Sequence, residues 1–230
     1  GEEGQVTTVT PAGGKHGVAV YHNPGSPSDP DITVNVIGDV TIDTIANSGR
    51  AGIAVNNTLE PDKSGKITVN SNAVIKAKEE GIKIIAAGDA AASNTGKITS
   101  DLQGIYIDAN GNAIALNEAT GEINSQHHGI DVDAGGTTSV TNAGEIESKR
   151  DGIWARAKGD VTVNNSGIIT ADNGGIDALS QEGDVIVNGT GGTITANGGI
   201  GIYARSNDRT VDVKTGDIVS DGSGAIAIGR

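Results

Sequence analysis

The sequence predicts an all-β fold, a parallel β-helix solenoid of about nine coils of roughly 23–25 residues with three short strands in each. Three observations predict it. The pattern Ile-x-(Ala/Ser)-x-x-x-Gly-Ile recurs from Ile75, Ile98, Ile123, Ile146 and Ile169, with a looser copy from Ile218. Its leading isoleucines stand 23, 25, 23 and 23 residues apart, and Ile194 and Ile218 extend the series by 25 and 24. A fixed period of this size with strand-like content marks one coil per repeat. Apolar residues alternate within each repeat, as half-buried strands require. The 230 residues include 36 Gly but no Cys, Met or Phe, which excludes an ordinary core of large aromatic and sulfur side chains and leaves Ile, Val and Ala to fill the interior.

The chain opens irregularly. Residues 1–31 are expected to cap the stack, and residues 32–230 to form the solenoid. Gly17, Gly52 and Gly81 stand 35 and 29 residues apart, so insertions lengthen the early coils, and all five prolines precede residue 75. Two loops, 22–30 and 56–63, hold four of them. Loops on a rigid scaffold often carry function, so His22, Asn23, Pro24, Ser26, Pro27 and Asp29 make a candidate binding loop, beside the plainer reading of a surface insertion.

From residue 75 the coils are regular. The first strand is Gly-Ile-x-(Ala/Val/Ile), as at Ile82/Ile84, Ile105/Ile107, Ile130/Val132, Ile153/Ala155, Ile176/Ala178 and Ile202/Ala204. The second is of Val-x-Val type, assigned at Val40/Ile42, Val161/Val163, Val185/Val187 and Val211/Val213. The third is Ile-x-(Ala/Ser), whose small residues Ala77, Ser100, Ser125, Ser148, Ala171, Ala196 and Ser220 predict a tight interior column. Between strands lie Gly-Asp pairs (Gly38-Asp39, Gly88-Asp89, Gly159-Asp160, Gly183-Asp184) and Asn-x-Gly turns. These residues tolerate left-handed backbone angles and are read as corners. Asn94, Asn142 and Asn165 are expected to stack as a ladder. The few apolar side chains of one coil cannot offset the entropy of ordering it, so no coil folds alone. At a strand spacing of about 4.8 Å, the expected coils make a rod on the order of 40 Å long.

The formal net charge is −13, with acidic residues spread along the chain, which disfavours nucleic acid or an anionic membrane as partner. Absence of cysteine removes disulfides, thiolate nucleophiles and Cys-based metal sites. No apolar run is long enough to span a membrane, and Gly1-Glu2-Glu3-Gly4 has no leader character; the chain reads as an excised piece expected to continue beyond Arg230. No cofactor is implied: no calcium-binding nonapeptide array and no phosphate-cradling loop are present. His127 and His128 are adjacent, and on a strand they would point to opposite faces, so a surface turn is expected there and not a zinc site. The unpaired strand edges of terminal coils favour end-to-end self-association.

Segments such as Gly159–Ala171 (GDVTVNNSGIITA) and Gly201-Ile202-Tyr203-Ala204 resemble the passenger domains of adhesin-type, type V autotransporters of Gram-negative bacteria. The resemblance covers roughly residues 32–230. It implies a right-handed parallel β-helix, secreted through a C-terminal β-barrel of the same polypeptide and displayed at, or released from, the bacterial surface. It also implies a non-catalytic virulence factor that binds a host-cell surface protein, matrix or glycan. Alternatives are a released passenger acting as a soluble ligand on a host receptor, a structural spacer, and a polysaccharide-degrading β-helix enzyme. No Gly-x-Ser-x-Gly motif or inserted protease domain is present.

Counting from each Gly-Ile, the outward pairs of the first strand are Lys83/Ile85, Tyr106/Asp108, Asp131/Asp133, Trp154/Arg156, Asp177/Leu179 and Tyr203/Arg205. Three of the four aromatic residues share this column. Rings flanked by Asp and Arg suit sugar stacking or a protein hot spot, and equally suit cross-strand stabilisation of a sheet. Tyr106, Asp131, Trp154, Arg156, Asp177, Tyr203 and Arg205 are the candidate binding face. Asp131 and Asp177 could serve as a glycosidase acid and base, but coils of such uniform length build no cleft walls. Lys149, Arg150, Arg156 and Lys158 form a local basic cluster, and Lys158-Gly159-Asp160 reads as a corner.

Overall fold

The computed structural model describes residues 15–21, 31–38, 40–45, 50–57 and 65–230. Among them are twenty-five strands and no helix. The strands form three sheets of nine, eight and eight, in which every neighbour lies one coil before or after, and the pairing is parallel. The first sheet runs from Val18–Tyr21 to Ala225–Ile228, the second from Ile32–Val36 to Val211–Lys214, and the third from Thr41–Asp43 to Asp217–Ser220.

From Ile67–Ser71 onward, twenty-one strands fall into seven successive triplets, so the regular solenoid has about seven turns. Upstream, Val18–Tyr21, Ile32–Val36, Thr41–Asp43 and Ile53–Asn56 carry the same three sheets through the interrupted early coils. Val18–Tyr21 pairs in register with Ile53–Asn56, so the first sheet begins inside the segment expected to be a cap. Val40/Ile42, expected on the second strand, belongs to the third: Ile42 pairs with Ile75. The second strand of that coil is Ile32–Val36, paired with Ile67–Ser71. A Val-x-Ile step fits either sheet by polarity alone, and the early insertions obscure the period that would separate them.

Alternation decides the core. Ile53, Ile82, Ile105, Ile130, Ile153, Ile176 and Ile202 of the first sheet are buried, as are Ile42, Ile75, Ile98, Ile123, Ile146, Ile169 and Ile194 of the third. The small column is in register through Ala77, Ser100, Ser125, Ser148, Ala171, Ala196 and Ser220. Its buried serines donate to carbonyls two residues on, Ser100 to Leu102 at 3.2 Å and Ser148 to Arg150 at 3.3 Å. The asparagine ladder exists and has one more rung than expected. Asn94 Nδ2 donates to Asn117 Oδ1 at 2.9 Å, Asn117 to Asn142 at 2.8 Å, and Asn142 to Asn165 at 2.8 Å. Asn117 escapes notice in the sequence because Glu118-Ala119-Thr120-Gly121 follows it in place of a one-residue spacer.

The corner glycines lie between strands as expected, but the left-handed angle is met at only one of them. Among the described glycines only Gly38 and Gly191 have positive φ, 103° and 85°. The motif glycines are instead required by proximity. A Cβ on Gly81 would lie 2.3 Å from Ile98 Cγ2 and 2.6 Å from the Gly104 carbonyl oxygen, and one on Gly129 would lie 2.3 Å from Ile146 Cγ2 and 2.6 Å from the Gly152 oxygen. Each glycine thus receives the leading isoleucine of the next coil. The Gly-Asp corners act through the carboxylate: Asp89 Oδ1 accepts from Asn112 N–H at 2.8 Å, and Asp160 Oδ1 from Asp184 N–H at 2.8 Å.

Gly129→Ala must displace a neighbouring backbone, and overpacking of this kind costs about 1–3 kcal/mol or more. Gly224 occupies the same motif position, yet a Cβ added there would meet nothing within 4 Å. Equilibrium urea unfolding is expected to show a clear loss for Gly129→Ala and none for Gly224→Ala.

Candidate binding face

Stacking in register converts the first-strand motif into two outward columns. One runs Lys83, Tyr106, Asp131, Trp154, Asp177, Tyr203, and the other runs Ile85, Asp108, Asp133, Arg156, Leu179, Arg205. All seven candidate face residues therefore lie on one sheet face, five in the first column and two in the second. Aromatic rings occupy alternate coils, about 10 Å apart at the usual strand spacing.

The face is less open than the sequence suggests. Only Arg205 of the seven is exposed; the others are half-buried. The Arg156 guanidinium carbon lies 4.0 Å from the Trp154 ring centre, a cation–π contact, and the His128 ring centre is 4.8 Å away on a 42° tilt. Asp131 accepts a hydrogen bond from Gln103 Nε2 at 3.0 Å. Lys83 Nζ lies 5.7 Å from the Tyr106 ring centre and 2.8 Å from Glu80 Oε1.

A third column, missed in the sequence, flanks these two. It consists of the residue before each motif glycine: Glu80, Gln103, His128, Asp151, Gly174. Glu80, His128 and Asp151 are only 6%, 4% and 5% exposed, so three ionisable groups are buried beside the face. His128 Nδ1 lies 3.3 Å from Asp151 Oδ2. Asp151 Oδ1 accepts from Asn173 Nδ2 and Gly174 N–H, both at 2.8 Å. The signal is present as a fixed offset from Gly, but these residues vary too much in type to stand out. His127 and His128 meet the expectation of a turn, although His128 is buried and not at the surface. They lie in a bend between the strands Glu122–Ser125 and Ile130–Ala134, so the alternation of a strand does not apply, and their rings meet edge-on at 4.3 Å.

Electrostatics follow from this packing. Burial raises the Asp131 carboxyl against the opposing hydrogen bond from Gln103, and raises Asp177 against the pull of Arg156. Burial, then the charge of Asp133, raises Asp108. The Tyr106 phenol is pushed up to about 12 by burial and by Asp108, Asp131 and Asp133. Asp151 moves the other way: burial pushes it up, but hydrogen bonds from His128, Gly174 N–H and Asn173, with the charge of His128, hold it below the usual carboxylate value.

A shallow depression between coils is lined by Asp151, Asn173, Asp177, Ile200 and Tyr203, and another at the N-terminal end of the same sheet by His16, Tyr21, Arg50, Asn56, Glu79 and Lys83. Trp154 stands in register between Asp131 and Asp177, which separates the two carboxylates. The basic cluster is dispersed: Lys149 pairs with Asp172 at 2.9 Å, Lys158 with Glu182 at 3.6 Å, and Arg156 with Trp154. The candidate loop of His22, Asn23, Pro24, Ser26, Pro27 and Asp29 lies outside the described residues. No family model, curated protein or solved structure matches the chain.

A raised carboxyl contributes stability below its unfolded value of 3.8 and loses it as pH rises through the folded value. Asp177→Asn keeps the shape of the neutral form. It is therefore expected to match the parent chain near pH 3 and to exceed it in stability at neutral pH, read by thermal melting across that range.

Proposed function

We propose that this chain is part of a secreted autotransporter passenger, a right-handed parallel β-helix of about nine coils, which binds a host-cell surface protein or glycan through the outward face of its first sheet. On this reading it acts at the bacterial surface or outside the cell and performs no catalysis. The observation that carries the proposal is the register of Tyr106, Asp131, Trp154, Asp177 and Tyr203 in one column. Rings at a two-coil repeat, with carboxylates between them and Arg156 and Arg205 alongside, offer stacking surfaces and hydrogen-bonding groups at fixed intervals. Extended ligands are recognised by such repeats, and Trp, Tyr and Arg are the side chains that dominate binding hot spots. The shallow depression at Asp177 and Tyr203 gives the face a concave foothold.

One observation favours a second reading, a structural spacer: Trp154 is already packed by Arg156 and His128, as a ring that merely stabilises a sheet would be.

Binding of labelled chain to cultured host cells separates the two. Saturable binding is expected, weakened about 30-fold or more in Trp154→Ala and Tyr203→Ala, the size of a 2 kcal/mol hot spot, with the circular dichroism spectrum unchanged. Binding equally strong in both variants, or none in the parent chain, contradicts the adhesive reading. Prior glycosidase treatment of the cells distinguishes a glycan from a protein.

A further inference from the structure

Among the described residues, His127, His128 and Asp131 are the one group whose ligand atoms, a nitrogen from each imidazole and a carboxylate oxygen, all lie within 4.8 Å of one another. We propose that these three side chains bind a divalent transition-metal ion of the zinc type, with a coordination position left open beside Trp154.

The surroundings have the form of a metal site. His128 is 4% exposed, and its Nδ1 accepts the Asp151 backbone N–H at 3.4 Å and lies 3.3 Å from Asp151 Oδ2. Nδ1 is thus engaged on Asp151 and Nε2 is the nitrogen left for an ion; ligation through Nε2 would place the ring proton on Nδ1, facing Oδ2. A carboxylate on the far ring nitrogen of a ligating histidine fixes its tautomer and raises its basicity. Asp151 is itself held by Asn173 and Gly174 N–H at 2.8 Å, so the orienting group is rigid. Asp131 is steadied by Gln103 Nε2 at 3.0 Å on Oδ2, leaving Oδ1 for the ion. His127 supplies the independent observation: its Nδ1 is shielded from solvent and has no hydrogen-bond partner. A buried imidazole nitrogen without a partner is unfavourable, and a cation satisfies it.

The donor set selects the ion. Two imidazoles and one carboxylate suit zinc, nickel, cobalt or copper, whereas calcium and magnesium require oxygen ligands. With zinc bonds of about 2.0–2.1 Å, tetrahedral ligand atoms stand roughly 3.4 Å apart. The side chains therefore close on the ion by rotamer adjustment of about an ångström. Three protein ligands leave the fourth position to water or to an oxygen of a bound molecule, as in open zinc sites. The ion would also tie the bend at His127-His128 to the strand Ile130–Ala134. This inference does not rest on the adhesive reading.

The test is equilibrium dialysis of the purified, untagged chain against Zn²⁺, with metal analysis, alongside titration of Trp154 fluorescence with Co²⁺ and Ni²⁺. Trp154 is the only tryptophan and adjoins the site, so its quenching reports occupancy there. One Zn²⁺ per chain is expected, with no retention of Ca²⁺ or Mg²⁺ at the same concentration, and with quenching by Co²⁺ and Ni²⁺. His127→Ala and Asp131→Asn are each expected to weaken binding tenfold or more, Asp151→Asn by about 10–100-fold, and His16→Ala not at all. The first two replace side chains at the rim, so a circular dichroism spectrum matching the parent shows that loss of metal is not loss of fold. No Zn²⁺ retained by the parent, or equal retention by His127→Ala and Asp131→Asn, overturns the proposal.

Discussion

The structure depends on the close approach of successive coils at one glycine column. Parallel ladders hold neighbouring strands about 4.8 Å apart, and at Gly52, Gly81, Gly104, Gly129, Gly152 and Gly175 that spacing leaves no room for a Cβ between the backbone and the carbonyl of the next coil. The space a side chain would take is filled by the Cγ2 methyl of an isoleucine from the following coil. Ile and Gly of the repeated motif are therefore two halves of one inter-coil contact. Their six-residue offset sets where the chain turns, and the repeat of that offset sets the register of all three sheets.

A second constraint is that the interior is partly polar and yet paired. Asn94, Asn117, Asn142 and Asn165 are at most 1% exposed, and the amides of the first three each donate to the rung that follows. Such a ladder rewards identical residues at the same position in successive coils and penalises any odd one, because a buried amide without a partner costs about 1–3 kcal/mol. The Ser column and the Asp corners follow the same rule, each bonding to backbone nearby or one coil on. Local bonding of this kind makes every coil a template for its neighbour, the condition under which stability accumulates along a solenoid.

Much of this is legible in the sequence because periodicity reports directly on stacking. The Ile-x-(Ala/Ser)-x-x-x-Gly-Ile motif places the first and third strands, the small column and the outward pairs Tyr106/Asp108 to Tyr203/Arg205 in their observed register. Where one-residue identity has to substitute for period, the reading fails. Val40/Ile42 goes to the wrong sheet among the early insertions, and Ala90–Asn94 and Ala113–Asn117, lacking valine, are passed over as second strands. The role of the motif glycines goes unread because steric exclusion by the next coil is a property of the stack, invisible in any single repeat. The pairing of His128 with Asp151 is hidden for the same reason: residues 23 apart in the chain meet only when coils superpose.

The face that emerges is a product of register, with rings, carboxylates and a buried imidazole brought together from separate coils. Its geometry stands or falls with the regular stacking of the first sheet. Because the chain has no cysteine, spin labels at Asp108→Cys and Arg205→Cys report that stacking without interference. The two positions lie in one outward column, four ladder steps apart. Pulsed electron-spin distance measurement should give a narrow distribution reflecting a backbone separation of roughly 19 Å at 4.8 Å per step. A broad distribution, or a centre displaced by a full ladder step or more, would contradict the stacked register on which the rest of the account is built.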